Sequence, residues 1–174
     1  MSASAPKYKA KPVYWDSETR VVTSSSFVSS FKRKGKLKLP KHIWRFDSQH
    51  EFRVYIELIR MYGAERILRQ YPIEVLPPSL CYPKGKKWRA DFVVVSLRSG
   101  ILVESVVEAK GLFLPEFASI LACLESSDKK LFDRTVIVFP SSIPTNVTMV
   151  KSLSLIDDSI RLCTLRHLKK LHKL

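Results

Sequence analysis

Glycine is scarce, with five in 174 residues. None belongs to the Gly-rich strand-to-helix loop that cradles nucleotide phosphates, so a nucleoside-triphosphate site is not expected. Cysteine is scarcer still. Cys81, Cys123 and Cys163 are odd in number, far apart and without a Cys-x-x-Cys pair. That argues for neither a disulfide framework nor a zinc cluster, and a reduced, intracellular setting is expected. Four histidines (His42, His50, His167 and His172) lack metal-ligand spacing, and no Ser-His-acid constellation stands out. Residues 1–15 lack the continuous apolar region of a secretory signal. No run approaches the ~20 apolar residues of a membrane span, so no membrane partner is expected.

Acidic residues are the minority: 16 Asp and Glu against 30 Lys and Arg, a formal charge of +14. The excess is unevenly placed. Residues 1–45 hold eleven Lys/Arg against Asp16 and Glu18, a local net of +9. Lys32, Arg33, Lys34, Lys36 and Lys38 form a compact basic run there, and Lys84, Lys86 and Lys87 form a second one. A polyanion such as DNA or RNA is the natural partner, through phosphate contacts and counterion release. A solubilising or targeting tail would have the same composition. The organisation expected is a basic, partly flexible N-terminal arm over 1–45 and one domain over 46–174. In the arm, Thr23, Ser24, Ser25 and Ser26, with Ser29 and Ser30, suggest a flexible or partly ordered loop. Phe27, Val28 and Phe31 beside it are candidates to dock on the core.

The most informative segment is Trp88-Arg89-Ala90-Asp91-Phe92-Val93-Val94-Val95, a short turn at 97–100, and a run ending Val107-Glu108-Ala109-Lys110-Gly111. Two β-rich runs around a Gly-containing turn read as a hairpin. A turn centred between Arg98 and Ser99 sets Asp91 opposite Val106. Asp91 then shares a face with Glu108 and Lys110, as a diagonal neighbour of Glu108 roughly 7–8 Å away at the backbone. A one-residue slip or bulge would break that parity. Two carboxylates and a lysine at one end of a hairpin suit a Mg²⁺ site that cuts phosphodiester bonds. Mg²⁺ takes hard oxygens and usually keeps places for water and substrate phosphate. It polarises the phosphoryl oxygen, while a lysine orients the nucleophile or offsets charge in the transition state. Solvated residues on an edge strand are the plainer alternative.

Upstream, residues 46–63 read as a helix closed by Gly63. Ser48 and Glu51 have capping-box spacing, while Glu51, Tyr55 and Leu58 fall on one helix face. Glu51 therefore suits a cap, a metal-site acid, or both. His50 beside it is a candidate neighbour of a scissile phosphate or a plain surface histidine. Residues 67–75 form a strand-like run that Pro72 confines to an edge or bulge.

Taken in order, Phe46-Asp47-Ser48-x-x-Glu51, Arg69-Gln70-Tyr71-Pro72, Arg89-Ala90-Asp91-Phe92 and Glu108-Ala109-Lys110-Gly111 resemble the PD-(D/E)XK nuclease superfamily. The pattern is most similar to small phage endonucleases, junction resolvases and transposon nuclease subunits, and it covers roughly residues 45–140. Ala90 departs from the proline that many members carry there. The resemblance implies Asp91 and Glu108 as metal ligands and Lys110 as the catalytic lysine. It further implies Glu51 as an additional acid at the metal and Gln70 as an accessory residue.

Residues 115–124 read as a helix opened by Pro115, and 135–139 as a strand buried on both faces. That helix is the length a parallel crossover needs. Residues 160–165 read as a last strand, before a terminus with Leu165, Leu168, Leu171 and Leu174 on one side and basic residues on the other. The expected fold is α/β, a central mixed sheet flanked by helices with a restriction-endonuclease-like core. The expected function is a Mg²⁺-dependent DNA endonuclease, with Mn²⁺ as a substitute ion, from a phage or mobile element. A homodimer follows from two strands needing two sites. The alternative is a DNA-binding or partner-activated subunit of a recombination or transposition complex.

Overall fold

A computed structural model describes residues 10–33, 36–96, 102–143 and 161–171. The side chains at 25, 32, 33, 36, 37, 102, 161 and 169–171 fall outside that description. The chain divides into two compact units, Met1–Phe52 and Arg53–Leu174.

The first unit is more structured than its composition suggests. Strands β1 (Val13–Asp16), β2 (Val21–Val22) and β5 (Ile43–Phe46) form an antiparallel sheet in the order β2-β1-β5. The β1–β2 turn is held by the Asp16 carboxylate, which accepts from the N–H groups of Thr19 and Glu18. Those bonds, Thr19 first, hold the Asp16 carboxyl below its ordinary pKa. The serine-rich patch expected to be loop is instead a short helix, α1 (Ser25–Ser29). Ser24 caps it by accepting from Phe27 N–H at 3.2 Å, and Val28 is buried on its inner side. Hydroxyls that look like loop formers in sequence are also the usual N-cap residues, so the same serines that suggest a loop start a helix here. The basic run forms a small ribbon, β3 (Lys32–Arg33) paired with β4 (Lys36–Leu37). The described residues between 10 and 45 thus include short strands beside the basic run.

Helix α2 (Gln49–Tyr62) opens in the first unit. It starts at Gln49 rather than Phe46, because Phe46 is the last residue of β5. Phe46 is completely buried and its ring lies 5.2 Å from that of Phe52. Gly63, at φ 87, closes α2 with its N–H on Ile59 O.

The second unit is built on a five-stranded mixed sheet, order β10-β9-β8-β7-β6. Its strands are β6 (Ile67–Leu76), β7 (Lys86–Ser96), β8 (Leu102–Ala109), β9 (Thr135–Phe139) and β10 (Arg161–Thr164). β6, β7 and β8 run antiparallel; β8, β9 and β10 run parallel. Helix α3 (Pro115–Ser127), with Pro115 in its first turn, and the short α4 (Lys129–Phe132) make the β8–β9 crossover. Helix α5 (Leu165–Leu171) follows β10 directly, with Leu165 and Leu168 buried. Leu174 and the mixed stretch 144–157 lie outside the described residues.

Helices cover both faces of the sheet. On one, Trp88, Ala90, Val93, Val106, Ile137 and Phe139 pack with Phe117, Leu121 and Leu124 of α3. On the other, Phe92 stacks on Tyr55 of α2, ring centroids 6.0 Å apart. That two-sided cover is why Val93, Val94 and Val95 are all buried, with no polar alternation between them. The domain is α/β with a mixed sheet, as expected. Among the described residues, no helix is long and apolar enough to cross a membrane.

Candidate active site

The hairpin register differs from the expected one by two residues. Phe92 pairs with Val107 and Val93 with Val106, and a bulge sits between Val94 and Val95. Continuing that register by one step brings Glu108 directly across from Asp91, not diagonal to it. A shift of two preserves parity, so the two acids still meet. The turn residues 97–100 themselves lie outside the described residues.

The meeting is helped by an irregularity in β6. Gln70 has φ 50, in the left-handed region that a residue with a side chain rarely adopts. The β6–β7 ladder skips Gln70 and Asp91, although Arg69 pairs with Phe92 and Tyr71 with Ala90. Side-chain alternation changes phase at that point. Arg69 and Phe92 both lie against Tyr55, whereas Tyr71 and Ala90 belong to the α3-side core. Asp91 stands at the phase change, and its N–H turns to the neighbouring strand and donates to Glu108 Oε2 at 2.9 Å.

The rest of the site follows from that pairing. Asp91 Oδ2 accepts from the backbone N–H of Ala109 at 2.9 Å, and Oδ1 lies 3.4 Å from Gln70 Nε2. Lys110 Nζ is 2.5 Å from Glu108 Oε1 and 4.3 Å from the centre of the Phe117 ring. All four carboxylate oxygens therefore have a protein donor. Each keeps a further lone pair, because a carboxylate oxygen accepts more than one bond. Glu108 is 2 % exposed. Burial first, then the charge of Asp91, push its carboxyl up to about 7, against the opposing pull of Lys110. Lys110 is partly open, its side chain 26 % exposed.

No protein-family model, curated protein or solved structure matches the chain.

Two carboxylates forced together in a buried place repel each other, and a dication relieves that repulsion. The donors are hard oxygens, and Mg²⁺ commonly takes only one or two carboxylates from protein. Asp91 and Glu108 fit such an ion on those grounds. Among the described residues, no group of three or more His, Cys, Asp and Glu gathers as a larger ligand set. Gln70, Asp91, Glu108 and Lys110 are brought together in the second unit.

Glu51 belongs to the first unit and is engaged as a cap. Its N–H donates to Ser48 Oγ at 3.0 Å, and its own Oε2 accepts from Asp47 N–H at 2.8 Å. Ser48→Ala is expected to destabilise the fold by about 1 kcal/mol. Denaturant unfolding checks this, and an unchanged midpoint would show that the cap contributes nothing. His50 is the second residue of the same helix.

Of the basic candidates, Lys38, Lys84 and Lys87 are exposed and Lys86 half-buried. Lys34 lies outside the described residues, and only the backbone of Lys32, Arg33 and Lys36 is described. Sequence reasoning missed Ala109 and Phe117. The first acts through its backbone N–H, for which side-chain patterns carry no signal. The second was legible only as an apolar residue in the first turn of α3.

Proposed function

We propose that the chain is a metal-dependent DNA endonuclease of the PD-(D/E)XK type, with a restriction-endonuclease-like core formed by the mixed sheet and α2. The observation that carries this reading is the convergence of Asp91, Glu108 and Lys110 across two adjoining strands. Asp91 and Glu108 would hold Mg²⁺ or Mn²⁺. When bound, the ion supplies Lewis-acid polarisation of a phosphoryl oxygen and neutralises developing charge. Lys110 offers the cation that orients a nucleophile or offsets transition-state charge once its ammonium leaves Glu108. The Ala109 N–H fixes the Asp91 carboxylate, and Gln70 supports its other oxygen. The excess of basic residues supports DNA as the polyanion.

One feature favours the alternative, a subunit silent until a partner joins it. The Lys110 ammonium already offsets the charge of Glu108, so an ion binding there competes with it. A partner or bound DNA that draws Lys110 away would complete the site, and a second copy of the chain is one such partner.

The test is supercoiled plasmid incubated with purified protein in Mg²⁺, in Mn²⁺ and in EDTA. Nicked or linear product is expected with either ion and none in EDTA. Cutting that persists in EDTA would overturn the metal mechanism. DNA retention without cutting under either ion would shift the reading to the partner-activated subunit.

A further inference from the structure

The β6–β7 connection, residues 77–85, is neither buried nor slack. Leu80 at its tip is fully exposed and Tyr82 is half exposed. Yet the loop is internally tied. Ser79 and Tyr82 exchange both backbone hydrogen bonds, at 2.9 and 3.2 Å, and Ser79 Oγ accepts from Tyr82 N–H. Gly85 N–H donates to Tyr82 O at 2.8 Å. Gly85 has φ 65, and a Cβ there would stand 2.6 Å from Leu76 O, so the loop's return to β7 requires glycine. Pro77, Pro78 and Pro83 remove further freedom. The result is a preformed projection with an apolar tip, and exposed Lys84 and Lys87 stand on its returning arm.

An apolar side chain held in water by a tied loop carries an unfavourable hydration free energy that burial against a partner relieves. The lysines choose the partner's sign. We infer that loop 77–85 is a wedge that enters double-stranded DNA, with Leu80 unstacking a base step, Tyr82 packing on the exposed base, and Lys84 and Lys87 holding the flanking phosphates. Leucine wedges between base steps kink the duplex, and aromatic rings stack on bases regardless of sequence. This inference rests on the DNA reading above and adds a substrate property: a duplex deformed at a set distance from the cut. From Lys86 to Asp91 is five residues of β7, roughly 17 Å at ~3.3 Å each. The tip lies further out, so the unstacked step falls on the order of five to eight steps from the scissile phosphate, at 3.4 Å per step along a strand.

The experiment places 2-aminopurine at successive positions of a duplex and measures its fluorescence as full-length protein is added, alongside affinity at several salt concentrations. Wild type is expected to raise fluorescence at one position on one side of the cut. Leu80→Ser is expected to lose that rise while keeping the salt slope, because no charge has changed. The double variant Lys84→Glu/Lys87→Glu is expected to flatten the slope by about 0.9 for each phosphate it no longer neutralises. DNA binding with no rise at any position, or an equal rise with Leu80→Ser, overturns the wedge and leaves the nuclease reading standing. Failure of wild type to bind DNA overturns both. Should Leu80→Ser instead abolish self-association in sedimentation, with DNA binding intact, the tip is a protein contact and the wedge is wrong.

Discussion

On the nuclease reading proposed above, Asp91→Asn and Lys110→Ala are each expected to lower DNA cutting by on the order of a thousandfold or more, with DNA retention close to wild type. The asparagine keeps the shape of the side chain and one oxygen for the Ala109 N–H, so the fold should survive. What it removes is the charge that, with Glu108, would hold the proposed dication. Loss of Lys110 removes the ammonium paired with Glu108 Oε1. Filter retention in metal-free buffer separates binding from chemistry, and circular dichroism verifies the fold. Either variant cutting at the wild-type rate would remove that residue from the mechanism.

A second large effect concerns proton and metal linkage at Glu108. In the folded chain its carboxyl holds a proton up to about 7, against an ordinary value of 4.5. Between those values the folded state binds more protons than the unfolded state, so stability falls as pH rises. The contribution is complete below about 4.5 and lost on passing through about 7. Metal-free protein should therefore melt at a lower temperature at about pH 8 than at about pH 5.5. Glu108→Gln cannot ionise, so this part of the pH dependence should disappear and the variant should exceed wild type at the higher pH. On the proposed reading, Mg²⁺ would have the opposite pH preference. It would displace the proton, and should raise the wild-type melting temperature more at the higher pH than at the lower, with little effect on Glu108→Gln. Identical melting curves for both proteins across that range would refute the buried, coupled pair.

Much of this architecture was legible because the strongest signals are local. The apolar run at 135–139, Pro115 at a helix start and Gly63 at a helix end each reflect a constraint that acts within a few residues, and each element formed where expected. The acid pair was legible for a different reason. Face-sharing depends only on parity, so an error of two in register left Asp91 and Glu108 together. What the pattern did not disclose was the bulge at Val94/Val95 and the phase change at Gln70, since neither position carries the glycine that usually marks such sites. The small sheet of the first unit was hidden by composition. Serines and lysines dominate there, while the strands that order it are two to four residues long and too short to show a period.

Strand β6 lies at the margin of its sheet, and such margins invite another chain to zip alongside through open main-chain donors and acceptors. Pro72 has no amide proton to offer, and the left-handed turn at Gln70 interrupts the straight course that zipping needs. The border nearest the acid pair is thus blunted against fibre-like growth. A second copy acting as the partner proposed above would join elsewhere than along this strand.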